Sequence, residues 1–388
     1  MFWCVAVPAL AQTPASREEE NARKQAEKAK VVHPYRQNRF ERRLLELEER
    51  GGLAIQRGLF VAFGDIKSGS GIALGPAYGK IFDNGTTVIA KGVYSVRNFK
   101  LLQVSALSAP LAGGRLTLSG RARWQDAPKV ALYALGQQAP QAHTDYAETM
   151  SEVSGQTSLQ AFPFVRLAAG TGIEVFNTHE ADDPLVGQVA FTRQTLPGLG
   201  ADPNYLHSFA LAAIDTRDGL SYSRSGSLLQ ATLHDYRQQN DGPYSFRRID
   251  AIAQQLIPIL HGNWVIDLTL RVATTSADDG ETVPFFLTPR LGGGRGLRGF
   301  PSYRFRDRHS ILFIGEYRWY VQEYVDMGVY YEAGKVTSRR SELDFDGLKS
   351  NVGIGIRFHT PRATVLRLEL ARSHENVRFI FGFGIPTP

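Results

Sequence analysis

The stretch Gly292-Gly293-Gly294-Arg295-Gly296-Leu297-Arg298-Gly299-Phe300 places two arginines in a glycine-rich loop, and the residues that follow say what surrounds it. In Ser310-Ile311-Leu312-Phe313-Ile314-Gly315-Glu316-Tyr317-Arg318-Trp319-Tyr320 the odd positions Ile311, Phe313, Tyr317 and Trp319 are apolar, while the even ones include Glu316, Arg318 and Tyr320. A period of two, with apolar side chains on one face and ionisable ones on the other, is what a strand needs when lipid touches one side and a polar lumen the other.

The same alternation recurs downstream. Met327, Val329, Tyr331 and Ala333 oppose Asp326, Gly328, Tyr330 and Glu332; Val352, Ile354, Ile356 and Phe358 oppose Gly353, Gly355 and Arg357. Leu366, Leu368 and Leu370 alternate with Arg367 and Glu369, and Val377, Phe379, Phe381 and Phe383 with Arg378, Gly382 and Gly384. About sixteen strand-like segments are bounded by turn signals such as Asp83-Asn84-Gly85 and Asn240-Asp241-Gly242, at 71–80, 86–96, 99–109, 114–125, 145–158, 161–176, 204–215, 226–238, 244–259, 263–274, 283–289, 310–321, 325–336, 350–359, 363–372 and 376–384. An even, antiparallel set predicts an all-β transmembrane barrel, closed because hydrocarbon does not tolerate open edges.

Composition agrees. The chain has 388 residues and no apolar run long enough for a membrane helix. Its mean hydropathy of −0.22 is no argument for solubility, because alternating strands hide their apolar face from an average. The single cysteine, Cys4, excludes a disulfide framework and a thiolate metal site. A net charge of +6 raises nucleic acid as a partner, but the arginines are spread over lumen-facing positions and loops without a nucleic-acid motif. Residues 1–11 end in Ala9-Leu10-Ala11 and read as a signal peptide, truncated because it lacks a basic start. Residues 12–58 form a charged arm, expected to be helical and periplasmic and a docking point for a periplasmic partner; the barrel is expected over 59–388, with loop 291–309 folded inward.

These features together resemble the bacterial surface antigen superfamily, the BamA/TamA-type outer-membrane barrels. The resemblance covers about residues 70 to 385 and rests on Gly292-Gly293 followed by Leu297-Arg298-Gly299-Phe300, on Glu316-Tyr317-Arg318, and on Tyr331-Glu332-Ala333-Gly334-Lys335-Val336, with weaker matches at 214–218 and 349–358. A guanidinium on a loop inside a barrel calls for an acidic partner, and Glu316 and Glu332 are the lumen-facing candidates on adjacent strands. The resemblance implies the same pairing for Arg298, so Arg298, Gly299, Phe300, Glu316, Arg318, Glu332 and Gly334 form the expected loop lock. The stretch between Gln12 and Gly71 is short and highly charged, so the barrel is expected without the periplasmic POTRA domains common in that family.

The resemblance further implies localisation in the bacterial outer membrane, contact with outer-membrane lipid, and unfolded outer-membrane or secreted proteins as clients that are inserted or passed across. It also implies a lateral seam between the first and last strands, expected at Gly71, Gly75, Pro76 and Gly79 against Phe381 and Phe383. Proline and glycine weaken a ladder and its cross-strand packing. Two alternatives are weighed against this: a passive channel or structural barrel, and a barrel-borne hydrolase assembled from His143, Asp145 and Ser151 or from His374 and Glu375. No diagnostic spacing supports the hydrolase, and no catalytic residue, metal or cofactor is expected. His207, His234, His261 and His359 read as wall or loop residues.

Overall fold

The computed structural model describes residues 57–383 apart from 65, 181–195, 220–222, 261–262, 295, 323 and 360–363. The signal segment and all but the last two residues of the arm lie outside these, as do Arg295, His261 and Gly384. The polypeptide forms one antiparallel sheet of sixteen strands hydrogen-bonded in chain order, a nearly closed barrel. We number its strands β1 (Gly58–Gly64), β2 (Ala73–Ile81), β3 (Thr87–Ser95), β4 (Lys100–Leu107), β5 (Leu116–Leu132), β6 (Thr144–Phe162), β7 (Val165–Glu180), β8 (Asn204–Asp215), β9 (Gly226–Gln238), β10 (Phe246–Ile259), β11 (Trp264–Ser276), β12 (His309–Gln322), β13 (Val325–Thr337), β14 (Lys349–His359), β15 (Thr364–Ser373) and β16 (Val377–Phe383).

Apolar alternation explains why these segments become wall. Leu59, Val61 and Phe63 are exposed on β1, and Val329, Tyr331, Val352, Ile354, Phe379 and Phe381 do the same elsewhere, giving a greasy exterior no water-facing protein would carry. Interior positions are polar or packed. At one end the connections are mostly short, as at 163–164; at the other they are longer, with 133–143 and 277–308, the asymmetry of periplasmic turns against extracellular loops. The longest strands, β5 to β7, rise at the long-loop end around a core that includes Phe99, Tyr146, Phe176, Tyr205, Phe285 and Phe286.

The expected strand total conceals two errors that cancel. Segment 283–289 is not wall but a 3-10 turn at Phe285–Leu287, whose buried Phe285 and Phe286 plug the barrel end. Phe285 sits edge-on to Tyr146 with ring centroids 4.9 Å apart. Pro284 and Pro289 flank the run and cannot donate to a ladder. Conversely, the first strand is Gly58–Gly64, so 71–80 supplies β2. Gly-Leu-Phe-Val-Ala-Phe-Gly has no polar alternate positions, because inward Phe60 and Ala62 pack into the inner core.

This moves the seam. Gly71 lies in the loop before β2 at φ 69°, and Gly75, Pro76 and Gly79 pair with Ala62, Val61 and Gly58 of β1. Pro76 and Gly75 instead interrupt the β2–β3 ladder, which lapses between Leu74↔Tyr94 and Ala77↔Lys91. Glycine is required at 75 because a Cβ there would stand 1.9 Å from the Gly92 carbonyl oxygen. Phe381 and Phe383 do belong to the terminal strand, and the sheet's two ends are β1 and β16, with no ladder between them among the described residues.

Candidate functional site: the loop clasp and the barrel seam

Loop 277–308 starts and finishes its excursion as a miniature hairpin, Arg290–Leu291 against Phe305–Arg306. Between them the chain folds on itself: Gly292 N–H donates to the Gly296 carbonyl at 3.0 Å, Gly293 N–H to that of Phe300 at 3.0 Å, and Phe300 N–H to that of Leu297 at 2.9 Å. Glycine at 292 is needed twice over, since φ is 107° and a Cβ would lie 2.2 Å from the Pro301 oxygen. The tight turn projects Leu297 and Phe300, both fully buried, onto inward Leu312 and Val336. Each such burial contributes roughly 1.5–3 kcal/mol. Phe300 packs edge-on to Phe305 and His374 at 5.1 and 5.3 Å, and its carbonyl accepts from Arg378.

Arg298 is then delivered to the wall. Its backbone N–H and Nε donate to the two carboxylate oxygens of Glu332 at 2.6 and 2.8 Å. Nη1 donates to Glu369 at 2.8 Å, and Nη2 stands 3.6 Å from Glu316. The guanidinium lies 3.4 Å over the Tyr330 ring. Burial alone would lower its proton affinity, but Glu332, Glu369 and Glu316 outweigh that and hold it above the ordinary guanidinium range.

Of the expected lock, Arg298, Glu332 and, more loosely, Glu316 come together. Glu316 is held mainly by Arg357 at 2.5 Å, and Arg318 donates to Asp267 at 3.2 Å rather than engaging the loop. Gly299 and Gly334 serve as close-approach points: a Cβ at 299 would be 2.7 Å from the Cβ of Asn351, and one at 334 would be 2.7 Å from the Ile311 oxygen and 3.1 Å from Leu291. Glu369, buried on β15, is the partner the pairing argument missed. It also faces Arg357 at 3.4 Å and Arg367 at 3.7 Å, so four guanidiniums (298, 318, 357, 367) interlock with four carboxylates (267, 316, 332, 369). The signal for it was its alternation with Leu368 and Leu370; what the sequence withheld was its height on the wall.

Two further contacts were not foreseen. Arg304 clasps Glu375 through Nε at 2.9 Å and Nη2 at 2.8 Å and donates to the Ala139 carbonyl, so Glu375 anchors the loop, with His374 Nε2 3.8 Å from the same carboxylate. Tyr330 is laid across Gly353, whose Cβ would fall 2.2 Å from the ring, so that Gly353, Tyr330 and Arg298 form a stack through the β14, β13 and loop layers. Nearer the long-loop end, Lys67 pairs with Glu148 beneath Arg290 and Arg306. Burial lowers the Lys67 pKa to about 8, with the two arginines adding to it and Glu148 opposing.

Elsewhere the lumen is lined by further polar networks. Glu174, His207, His234 and Asp250 make a chain across β7 to β10 at 2.7, 3.0 and 3.5 Å, with Tyr236 stacked on His207 at 4.0 Å. His143 is stacked on Tyr133 at 4.8 Å. Among the described residues no three His, Cys, Asp or Glu side chains are arranged so that they could hold a metal ion.

The fold that holds this loop has counterparts among known proteins. In fold the chain is similar to a BamA structure from Haemophilus ducreyi lacking POTRA domains 1–3, at a TM-score of 0.63 and 15% identity over 85% of this chain and 70% of that one. It is also similar to CdiB from Escherichia coli, at 0.57 and 10% over 84% and 62%, and to CdiB from Acinetobacter baumannii, at 0.50 and 10% over 84% and 59%. The chain thus spans less than two thirds of either CdiB chain. No curated protein matches it by sequence. The Omp85 superfamily domain matches residues 144–386, which is the wall from β6 to the end together with the clasped loop, and the chain accordingly belongs to the Omp85 superfamily.

Proposed function

We propose that this barrel inserts or passes protein or lipid at the bacterial outer membrane, using the seam between β1 and β16 as the route and the Arg298 loop as the lock on its lumen. The observation that carries the reading is the seam. Two seven-residue strands end the sheet with no ladder between them among the described residues. Unpaired N–H and C=O groups facing hydrocarbon cost several kcal/mol each, so such an edge is stable only if it is shielded or receives another strand. A client strand adding to β1 or β16 by its main chain would satisfy those groups irrespective of sequence. The clasp complements this by keeping the lumen filled while the seam works.

The test is a disulfide across the seam, from cysteines at Val61 and Phe381 with Cys4 replaced by serine. The oxidised barrel, reconstituted in vesicles, is expected to lose the ability to promote membrane insertion of an urea-unfolded outer-membrane protein and to regain it on reduction. Insertion at the same rate in both states would discard the seam as the route. Single-channel conductance separates a passive channel: a large steady pore in the unmodified barrel argues for one, and small flickering openings argue for a loop-filled lumen.

A further inference from the structure

On the outer wall of β11 to β16 the apolar surface is indented. A groove of about 890 Å³, within the roughly 300–1,000 Å³ of ordinary ligand sites, lies around Gly315, where the absent side chain leaves a hollow between Leu268, Tyr331 and Ile354. Its surface is almost wholly hydrocarbon; of the two charged residues that line it, Glu316 is taken up by Arg357 on the lumen side, which leaves Arg372. That arginine is out of place. It shares the outward face of β15 with Leu370, and its ladder neighbours Val352 and Val377 are 53% and 62% exposed. It makes no ion pair or hydrogen bond among the described residues, whereas Lys335, another outward cation in this part of the wall, is held by Asp344 and the Asp346 carbonyl. Arg372 stands next to turn 374–376, at the end of the barrel that carries loop 277–308. The opposite end of the groove reaches Tyr317, which packs with Trp264 and Trp319 at 6.4 and 5.9 Å, as interfacial aromatics do.

We infer that this groove is a binding site for one anionic phospholipid, its acyl chain in the hollow around Gly315 and its phosphate on Arg372. The inference rests on the membrane reading above. An exposed guanidinium in an apolar field gains most from a phosphate, which it meets with two parallel hydrogen bonds, and the groove runs down the wall from that charge as an acyl chain would. A merely snorkelling arginine would bind headgroups without regard to the groove. Occupancy would set an ordered lipid against β15 and β16, the second of which borders the seam.

Native mass spectrometry of the full chain in detergent micelles doped with phosphatidylglycerol or with diacylglycerol tests it. Wild type is expected to retain one phosphatidylglycerol and to hold diacylglycerol more weakly. Arg372→Gln should weaken phosphatidylglycerol about five-fold, the weight of one basic residue at an anionic surface. Gly315→Leu should abolish the bound lipid, and Ile354→Trp, a second filling variant, guards against misfolding of the first. Undiminished retention in Arg372→Gln, or in both filled variants, or equal retention of diacylglycerol by wild type, would overturn the site. Insertion of the unmodified barrel into vesicles, scored by heat-modified gel mobility, is a separate readout; its failure would undo the membrane reading itself.

Discussion

Removing Glu369 gives the sharpest test of the clasp. In Glu369→Ala the Arg298 backbone and Nε keep Glu332, but Nη1 loses a 2.8 Å charge-assisted bond in a buried setting. Such a bond is worth ~1.5–3 kcal/mol, and leaving its donor unsatisfied adds to the cost. Arg357 loses a longer contact at 3.4 Å, and Arg367, at 3.7 Å and 32% exposed, adds little because water screens it. The sum is about 3 kcal/mol, at the low end of the ~3–5 found when one side of a buried pair is removed. That raises the open-to-clasped ratio of the loop roughly a hundred-fold. Trypsin reads this directly, because the bond after Arg298 is buried and can be cut only from the open loop; with fast reclosing the cleavage rate follows the open population. Glu342→Ala, which removes only an exposed pair with Arg339 at 3.3 Å, should leave the rate unchanged. If Glu369→Ala is cut at the wild-type rate while the barrel remains heat-modifiable, the loop is held by Leu297 and Phe300 alone and the charge network does not retain it.

Gly353→Ala should cost ~1–3 kcal/mol in denaturant midpoint, because the new methyl must displace the Tyr330 ring, and much of that loss should vanish in a Tyr330→Leu background; an additive pair would show that the stack is not what glycine serves. Lys67 should titrate near pH 8, followed by NMR after reductive ¹³C-methylation, and a midpoint above 10 would refute its burial against Arg290 and Arg306. The sign follows from its lowered pKa. Between pH 8 and the ordinary 10.5 the unfolded chain binds the proton and the folded chain does not, so this group adds stability as pH rises through that window and none below it.

Much of the wall could be read from one strand at a time, since the outward and inward faces of β12 to β16 are written into alternate residues and a strand's faces depend on nothing beyond it. Strands β8 and β9 fall at the expected 204–215 and 226–238 for the same reason. Alternation carries no signal where both faces are apolar. Phe60 and Ala62 on β1, and Phe285 and Phe286 in the plug turn, look alike in sequence because each meets apolar neighbours inside the barrel, and only three-dimensional packing makes one a strand and the other a filler. The seam moved by one strand on that account.

The clasp divides in the same way. A glycine-rich loop carrying an arginine that needs a carboxylate is a local fact, and the two candidates, Glu316 and Glu332, follow from their inward positions on adjacent strands. That Glu369 rather than Glu316 takes the second arm of Arg298 depends on the stagger of strands, which sets the height at which each inward residue meets the loop. The same holds for Arg304 with Glu375 and for Tyr330 over Gly353, pairs separated by 71 residues in the first case and joined across a ladder step in the second. Sequence by itself determined which residues face inward and that an arginine waits among them. The tertiary structure decided who meets whom, because a ladder fixes alternation within each strand but only closing the sheet around its loop fixes the register between distant ones.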